Sequence, residues 1–359
     1  MTERGYFFGF SRWKRKHIRP FFPEIEICFC TTLEEAIGQG MAGESPVYIW
    51  GKKPFLEVET YVEAHASRLF RVEDGFIRSV SLGSDLTKAY SLVVDGRGIY
   101  FDPSRESDLE YLLSTASFSS ELLERGRQLQ QYLEKNRISK YNLYRDRQIV
   151  LEGLKKAQRV ALVPGQVEDD ASIIYGAGGM SNLELLQQAR EKSPDAYIIY
   201  KPHPDVLAGN RKGHIETTEA LLYADSVITD ASLDSVLVRC DEVHTMTSLV
   251  GFEALIRGKE VYTYGMPFYA GWGVTVDAKQ CRRRSLRRTV DEIAAAALIL
   301  YPRYIHPKTN RRCEIETLLQ EIDKEKTRYN NDKLYQFCVD IRNGLSRKIQ
   351  FAIKVMLGE

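Results

Sequence analysis

Two blocks of alternating short apolar runs and helical patterns constrain the fold of this chain more than any other feature. In the first block, four apolar runs have the length and composition of buried strands: Tyr6–Phe10, Ile25–Cys30, Val47–Trp50 and Arg68–Val72. The segments between them, Leu33–Gln39 and Phe55–Ala66, have the spacing of helices. This alternation predicts a parallel sheet covered by helices on both faces. The stretch Ser91–Asp102 predicts a hairpin that turns at Asp95-Gly96.

The second block repeats the pattern after a polar, helix-rich stretch. Its predicted strands and helices are Arg159–Val163, Asn182–Lys192, Ala196–Tyr200, Glu242–Met246, Leu249–Arg257 and Glu260–Tyr264. The predicted fold class is therefore α/β, with two Rossmann-like domains facing each other across a cleft and with linker and C-terminal helices. We expect a first domain over 1–104, a helical linker over 105–157, a second domain over 158–300 and C-terminal helices over 301–359. The last include Ile315–Lys324 and Lys333–Leu357.

Composition narrows the function classes. With 359 residues and 43% hydrophobic content, the chain is long enough for two cores. A formal net charge of +1 gives no general attraction to nucleic acid, so no nucleic-acid partner is expected. The six cysteines contain no C-x-x-C pair and favour free thiols in a reducing cytoplasm. Neither a signal peptide nor an apolar run of membrane-spanning length is found, so a cytoplasmic location is expected.

The segment Tyr200–Asp205 ends a predicted strand with the turn Lys-Pro-His-Pro. Pro202 and Pro204 fix the backbone on both sides of His203, and Lys201 adds a positive charge beside it. A stiffly held imidazole can bind a phosphate or act as an acid. The alternative is a surface turn with an incidental histidine.

The segment 242–256, EVHTMTSLVGFEALI, leads from a strand through Thr247-Ser248 into a helix. Ser248 can cap that helix, which would leave N–H groups of the first turn directed at the cleft as an anion site. Glu253 lies one and a half turns further on, where a carboxylate could reach ribose hydroxyls. The alternative is ordinary helix capping.

Two acidic segments also follow predicted strands. In RVEDGFIRS, Glu73 and Asp74 are adjacent, and each would raise the pKa of the other, as suits proton exchange near neutrality. In PGQVEDDAS, the residues Glu168, Asp169 and Asp170 could hold magnesium or supply a nucleophile. The alternatives are an acidic turn and an acidic surface loop.

The loop Pro267–Gly273, PFYAGWG, could stack on a base or line an acceptor groove, or it could be buried by packing.

Seven motifs, taken together and in order, resemble those of bacterial CMP-sugar transferases of the GT-B fold. They are WG, EDGFIRS, LVVDGRGIYFD, QVEDDAS, KPHPD, TSLVGFEAL and PFYAGWG. The closer resemblance is to the KpsC-type capsule polysaccharide β-Kdo transferases. Members of this family often carry two modules, and the start GFSRWKR resembles the second, C-terminal one.

This resemblance implies a retaining β-Kdo transferase that uses CMP-β-Kdo, with a Kdo-primed phosphatidylglycerol glycolipid as acceptor. It implies that Asp170 is the nucleophile of a covalent intermediate, framed by Gln166 and Ser172. Asp74, with Glu73 as the alternative, would be the acid/base on the acceptor hydroxyl. Inversion at two successive steps would retain the configuration.

The same resemblance implies how the nucleotide is held. Lys201 and His203 would neutralise the CMP phosphate, Thr247 and Ser248 would hold it from the other side, and Glu253 would bind the ribose. With these groups for charge stabilisation, no metal and no cofactor are expected.

Membrane contact and partners follow from the basic clusters and the implied acceptor. Arg282–Arg284 with Arg287-Arg288, and the stretch Ser346–Leu357, could bind an anionic bilayer on the cytoplasmic face of the inner membrane. The alternative is a helix packed on the body of the protein. A companion Kdo transferase is a further expected partner.

Two other functions stay open: a sialyltransferase using CMP-sialic acid, and a non-catalytic capsule assembly or export protein.

Overall fold

The computed structural model describes residues 3–79, 88–140, 149–209, 211–342 and 344. Along this part of the chain the strands are β1 Glu3–Phe8, β2 Ile25–Cys30, β3 Val47–Trp50, β4 Leu69–Asp74, β5 Ser91–Asp95, β6 Val160–Pro164, β7 Tyr197–Lys201, β8 Ser226–Val227, β9 Glu242–Thr245, β10 Glu260–Thr263, β11 Val276–Asp277, β12 Pro302–Ile305 and β13 Arg312–Cys313. They form two sheets, and both predicted blocks of alternating strands and helices are confirmed.

The first sheet is mixed. Its strand order is β13-β12-β5-β4-β3-β1-β2. The strands β1 to β4 are parallel, whereas β5 runs antiparallel to β4 and to β12. All four side chains of β3, VYIW, are buried, as expected for a central strand of a sheet covered on both faces.

The second sheet is entirely parallel, with the order β11-β10-β9-β6-β7-β8. The central strand β6, VALVP, is buried along its whole length. In both sheets the polar motifs follow the carboxyl ends of the strands, which is where ligands bind in open α/β sheets.

The helices cover the sheets and connect them: α1 Arg12–Ile18, α2 Leu33–Gly38, α3 Leu56–Ala64, α4 Asp108–Thr115, α5 Ser120–Lys135, α6 Ala171–Gly176, α7 Asn182–Lys192, α8 Pro204–Leu207, α9 Thr217–Ala220, α10 Leu233–Leu237, α11 Leu249–Leu255, α12 Val290–Ala295 and α13 Ile315–Asn331. A π-helical turn, Ala296–Leu300, follows α12. Several begin at sequence-encoded caps. Ser181 and Glu184 form a capping box on α7, and Thr289 and Glu292 form one on α12.

The hairpin predicted for Ser91–Asp102 is wrong. Only Ser91–Asp95 is a strand, and it pairs with β4 and with the distant β12. The carboxylate of Asp95 accepts hydrogen bonds from the backbone N–H groups of Arg97, Gly98 and Asp108. These bonds fold residues 96–107 into a loop that leads to α4, so the Asp-Gly pair begins a loop and not a two-residue turn.

The helical prediction for 301–359 needs a second correction. The first part of this stretch contains β12 and β13, which complete the edge of the first sheet. Helices follow as predicted: α13, and then a helical segment over 333–342. In the predicted linker, α4 and α5 are helical, whereas residues 149–157 of its described part are not. The three boundaries between the four predicted regions stay a prediction.

One apolar core joins the two sheets and the helices between them. It contains Phe76 from the loop after β4, Leu129 from α5, Leu162 from β6 and Phe268 from the loop after β10. The rings of Phe76 and Phe268 stack with centroids 4.6 Å apart. The loops that follow the strands of both sheets are thereby held against each other, and a cavity lies between them.

Candidate active site

A cavity of about 570 Å³ lies between the two sheets and is lined from both of them. All ten residues that the sequence singled out as site residues line it: Glu73, Asp74, Gln166, Asp170, Ser172, Lys201, His203, Thr247, Ser248 and Glu253. Residues from the linker and from α13 close it further, including Arg137, Lys140 and Lys326. The structure thus brings together segments that are up to 180 positions apart, while the chemical role of each residue stays a prediction.

Gln166 organises the side of the cavity formed by the second sheet. Its side-chain oxygen accepts hydrogen bonds from the backbone N–H groups of Thr247 (3.0 Å) and Ser248 (3.1 Å), and its side-chain nitrogen donates to Thr247 Oγ1 (3.1 Å). Its backbone N–H donates to the side chain of Asn182. Only 6% of Gln166 is exposed. It therefore fixes the loop before α11 rather than reaching into the cavity as a free binding group.

The predicted anion site at the start of α11 stays a prediction, and these bonds show which groups of Thr247 and Ser248 it could use. Ser248 caps the helix as expected, since its hydroxyl accepts from the N–H of Val250. The N–H groups of Thr247 and Ser248, however, are directed at Gln166 and not at the cavity. The groups that these two residues can offer to a ligand are their hydroxyl protons, because both hydroxyl oxygens already accept a hydrogen bond.

Asp170 stands at the start of α6, one loop after β6. Its Oδ1 accepts two hydrogen bonds from Ser172, from the backbone N–H (2.9 Å) and from the hydroxyl (2.7 Å). Within the described residues no hydrogen bond to Oδ2 is found, and the side chain is exposed to the cavity. Ser172 therefore orients the carboxylate by one oxygen and leaves the other available.

The acidic triplet of this loop does not converge on a metal. Glu168 accepts a hydrogen bond from the backbone N–H of Asn182, and Asp169 pairs with Arg211 at 3.1 Å. In the described part of the chain, no three acidic, histidine or cysteine side chains lie close enough together to hold a metal ion. The magnesium alternative for this loop thus finds no support in the geometry.

Lys201 and His203 line the cavity at the end of β7. Gly165 lets the loop after β6 pass against this turn, because a Cβ there would lie 2.8 Å from the hydroxyl of Tyr200 and 3.2 Å from Pro202 Cα. Burial lowers the pKa of Lys201 to about 8, with Asp230 opposing the shift. Its ammonium donates to the carbonyl of Ala231 (2.8 Å).

The ring of His203 is held in one tautomer. Its Nδ1 accepts a hydrogen bond from the backbone N–H of Asp205 (3.1 Å), so the proton of the neutral ring is on Nε2. Burial lowers the pKa of His203, although Asp205 opposes this. A neutral imidazole with an Nε2–H is a hydrogen-bond donor, as binding of a phosphate oxygen requires.

Glu73 and Asp74 form the opposite wall at the end of β4, and their environments differ. Burial raises the pKa of Glu73, with Lys14 opposing. Burial acts in the same direction on Asp74, but Lys14 and Arg78 outweigh it and lower the pKa of that carboxyl. Arg78, which is 1% exposed, donates to Asp74 Oδ2 at 2.7 Å. Asp74 is thus the ionised partner of a buried arginine, and Glu73 is the carboxyl better suited to exchange a proton near neutrality.

Glu253 is nearly buried where α11 borders the cavity. One of its oxygens accepts a hydrogen bond from the backbone N–H of Lys140 (2.9 Å), whereas Oε2 has no partner among the described residues. Burial raises the pKa of Glu253, and Arg257 opposes the shift. A buried carboxylate oxygen without a partner is costly, which indicates that a ligand group pairs with it.

Sequence reasoning missed several residues of this region. Lys14, whose ammonium lies 3.1 Å from the ring centre of Trp50, and Arg78 set the charge around Glu73 and Asp74. Asn182 ties Gln166 to Gly213, and Asp234 lines the cavity beside Glu253. Only Arg78 carried a local signal, because it lies four residues after Asp74.

The basic cluster and the aromatic loop have structural roles. Arg283 and Arg284 both pair with the buried Glu110 of α4, and Arg284 also donates to the carbonyls of Pro267 and Ala270. The loop Pro267–Gly273 is accordingly packed inside, and its Trp272 is fully buried. Arg284 is buried and therefore does not face a bilayer, whereas membrane contact of the other arginines of the cluster stays a prediction. The tail Ser346–Leu357 lies outside the described residues, and no helix within them is long and apolar enough to span a bilayer.

Comparison with known proteins identifies the family. Residues 46–304 match the profile of the family described as capsule polysaccharide biosynthesis protein, and the chain belongs to this family. The capsule polysaccharide modification protein LipA of Neisseria meningitidis serogroup A is 43% identical over 97% of this chain and 50% of its own length. The lipopolysaccharide-processing protein LpsZ of Rhizobium meliloti is 38% identical, over 89% of this chain and 74% of its own. The chain thus spans about half the length of LipA.

Two solved structures share the fold over most of the chain. The Thermosulfurimonas dismutans KpsC beta Kdo 2,7 transferase superposes with a TM-score of 0.74 at 35% identity, covering 90% of this chain and 100% of that structure. The beta Kdo 2,4 transferase of the same KpsC gives a TM-score of 0.77 at 32% identity, covering 90% and 98%. The predicted GT-B-like α/β fold and the KpsC resemblance are confirmed by these matches.

Proposed function

We propose that this chain is a retaining β-Kdo glycosyltransferase that moves Kdo from CMP-β-Kdo to a Kdo-primed phosphatidylglycerol glycolipid in capsule polysaccharide biosynthesis. The observation that carries the proposal is that Asp170 lines one cavity together with Glu73 and Asp74 of the first sheet and Lys201 and His203 of the second. The similarity to two KpsC Kdo transferases supports the choice of sugar.

The first step uses the carboxylate of Asp170. Its Oδ2 attacks the anomeric carbon C2 of Kdo, the bond from C2 to the phosphate oxygen breaks, and the electron pair leaves with CMP. The configuration at C2 inverts, and an ester between Kdo and Asp170 results. The two hydrogen bonds from Ser172 to Oδ1 hold the carboxylate in one orientation for this attack.

The leaving phosphate gains negative charge in this step, and donors on the second-sheet side stabilise it. The Nε2–H of His203 and the ammonium of Lys201 approach from the turn after β7, while the hydroxyls of Thr247 and Ser248 approach from the loop before α11. Fixed donors in a water-poor cavity typically contribute roughly 3 kcal/mol each to a transition state. The unpartnered oxygen of Glu253 accepts from a ribose hydroxyl.

The second step transfers Kdo to the acceptor. The acceptor hydroxyl attacks C2, the ester bond to Asp170 breaks, and the carboxylate of Asp170 is regenerated. Glu73 takes the hydroxyl proton, since its raised pKa makes its ionised form a stronger base than an ordinary glutamate. Asp74, bound to Arg78, keeps the wall charge-balanced. The two inversions together retain the β configuration.

The location and partners of the enzyme follow from the lipid acceptor. We infer a cytoplasmic protein that works at the cytoplasmic face of the inner membrane and acts next to a companion Kdo transferase. The chain spans about half the length of LipA, and we propose that the companion transferase forms the other linkage. Flotation of the chain with anionic vesicles, with and without residues 329–359, tests the membrane contact, and equal binding would exclude the tail as its source.

The direct test is incubation of the chain with CMP-Kdo and a synthetic Kdo-primed acceptor, with the product linkage read by NMR. A β-linked Kdo product is expected, and its linkage position distinguishes 2,4 from 2,7 transfer. CMP-sialic acid in place of CMP-Kdo should give no product. Transfer from CMP-sialic acid alone would support a sialyltransferase. Absence of both product and any CMP-dependent thermal shift would favour a non-catalytic assembly protein.

A further inference from the structure

A second buried carboxylate oxygen without a hydrogen bond lines the cavity beside Glu253. Asp234 stands in the first turn of α10 and is 7% exposed, and Glu253 is 5% exposed. In the described part of the chain neither Asp234 Oδ2 nor Glu253 Oε2 has a hydrogen-bond partner. Two such oxygens at the edge of one cavity indicate a ligand with at least two donor groups, because each unmet acceptor costs about 1–3 kcal/mol.

Arg257 connects Asp234 to the backbone of Glu253. Its guanidinium donates to the backbone carbonyl of Glu253 (2.8 Å) and to Asp234 Oδ1 (3.1 Å). The Nε of Arg137 lies 3.7 Å from Asp234 Oδ2, which balances charge without a hydrogen bond. Arg257 therefore occupies Asp234 Oδ1, and Oδ2 is the oxygen that could accept a hydrogen bond from a ligand.

The order of groups along α11 matches the order of groups in a nucleotide. Ser248, proposed to bind the phosphate, is five residues before Glu253, which corresponds to about 7.5 Å along a helix. Arg257 lies about one turn beyond Glu253, and it contacts Asp234. A ligand with its phosphate at Ser248 and its ribose at Glu253 would thus direct its base toward Asp234. The apolar side chains of Ala231, Leu233 and Val250 line the same cavity and suit a flat ring.

We propose that Asp234 Oδ2 accepts a hydrogen bond from the exocyclic amino group of cytosine and so selects a cytosine nucleotide over a uracil nucleotide. The inference rests on the proposed function, because it assumes that the donor is a CMP-sugar. Cytosine presents an N–H₂ donor where uracil presents a carbonyl oxygen. Facing a carboxylate, that carbonyl would leave two acceptors unpaired and repelling each other, which is an effective way to reject the wrong base.

The test needs no mutation in its first arm. Affinities of the wild-type full chain are measured by titration calorimetry for CMP, for UMP and for the 5′-monophosphate of pyrimidin-2-one ribonucleoside, which lacks only the amino group. We expect CMP to bind at least about tenfold more tightly than either other nucleotide, since hydrogen bonds to charged groups contribute about 1.5–3 kcal/mol. Equal binding of CMP and the pyrimidin-2-one nucleotide overturns the inference.

The second arm compares two matched carboxylate-to-amide changes. Asp234→Asn should weaken CMP and leave the pyrimidin-2-one nucleotide unchanged, so that the difference between them disappears. Glu253→Gln should weaken all three nucleotides by the same factor, because every one of them carries the ribose. Retained discrimination in folded Asp234→Asn overturns the inference while leaving the proposed function intact. Failure of CMP itself to bind the wild-type chain overturns both. If Asp234→Asn does not fold, the first arm decides alone.

Discussion

The two walls of the cavity are built by different physical means. The second-sheet wall is held by hydrogen bonds between neutral groups, with Gln166 bonded to Thr247, Ser248 and Asn182 at once. The first-sheet wall is held by charge, with Glu73 and Asp74 placed against Lys14 and Arg78. The nucleotide is proposed to meet the neutral network and the acceptor to meet the charged pair. Substitutions on the two walls should therefore differ in their dependence on pH.

The largest effect on the transfer rate is expected from substitution of Asp170, which is proposed to contact both the donor and the acceptor. Asp170→Ala should lower transfer at least about a thousandfold, because no other group can form the covalent intermediate. CMP should still bind, since the proposed phosphate contacts are unchanged. Rates are measured by single-turnover transfer from CMP-Kdo. Asp169→Asn is the matched control on the same loop and should stay near the wild-type rate, and retention of a tenth of the activity in Asp170→Ala would end the covalent scheme.

The charged wall is tested next by Glu73→Gln. Loss of the proposed base should lower transfer about a hundredfold. In the wild type the rate should rise with pH through the raised pKa of Glu73, because only the ionised form accepts a proton. That rise should be absent from the variant. A pH–rate profile checks both expectations, and an unchanged acidic limb in Glu73→Gln would move the role of the base to another group.

Substitutions of Asp74 and Glu73 should differ in their effect on the free energy of unfolding. The pKa of Asp74 is lowered on folding, so its contribution is present above its unfolded pKa and is lost as the pH falls. Asp74→Asn should cost about 3 kcal/mol at pH 7, because the buried guanidinium of Arg78 loses its ion pair with Asp74. The pKa of Glu73 is raised, so its contribution is lost as the pH rises. Glu73→Gln should be less destabilising than Asp74→Asn at pH 7 in chemical denaturation, and the reverse order would refute this assignment.

The neutral wall is tested by Gln166→Ala. The change removes the side-chain oxygen that accepts from the N–H groups of Thr247 and Ser248, and it should destabilise the fold by about 2 kcal/mol. The bonds of Asn182 stay, because they are made with the backbone of residue 166. CMP affinity should fall about tenfold, since the hydroxyls of Thr247 and Ser248 lose their fixed positions. Both losses should be the same at pH 6 and pH 8. Calorimetry at the two values measures this, and a strong pH dependence would contradict a neutral network.

The smallest expected effect comes from Lys201. Its pKa of about 8 means that its positive charge is lost as the pH rises from 7 to 9. CMP affinity should decrease over this range by about threefold to fivefold. Lys201→Arg should flatten the decrease, because a guanidinium stays charged. An equal decrease in this variant would assign the titration to a different residue.

The sequence alone predicted the elements whose signals are local. The apolar runs that became β3 and β6, and the cap at Ser248, needed only neighbouring residues. The predicted hairpin failed because β5 pairs with β12, about 200 residues away. The short strand Pro302–Ile305 directly follows an apolar helical stretch, so it has no separate signal in the sequence. Pairings over such distances leave no local periodicity.

In the candidate site, too, the features with a local sequence signal were predicted, and those that depend on distant residues were not. The motif residues could be chosen because each follows an apolar run, but the orientation of Gln166 depends on a loop 81 residues away. Lys14 belongs to a basic helix whose charges look solvated in the sequence, and only folding places it beside Glu73. Asp234 carried no motif at all. The proposed role of Asp234 depends on its contact with Arg257 and on its burial, and the residues next to it in the sequence predict neither.

Two strands of the first sheet, β12 and β13, come late in the sequence, and this affects folding during synthesis. The strands β12 and β13 come from residues 302–313, yet they cover the edge of β5 in a sheet whose other strands end at residue 95. During synthesis β5 has an open hydrogen-bonding edge until the residues of β12 have left the ribosome. A fragment that ends at residue 300 would keep that edge permanently and should aggregate, whereas adding only fourteen residues would close it.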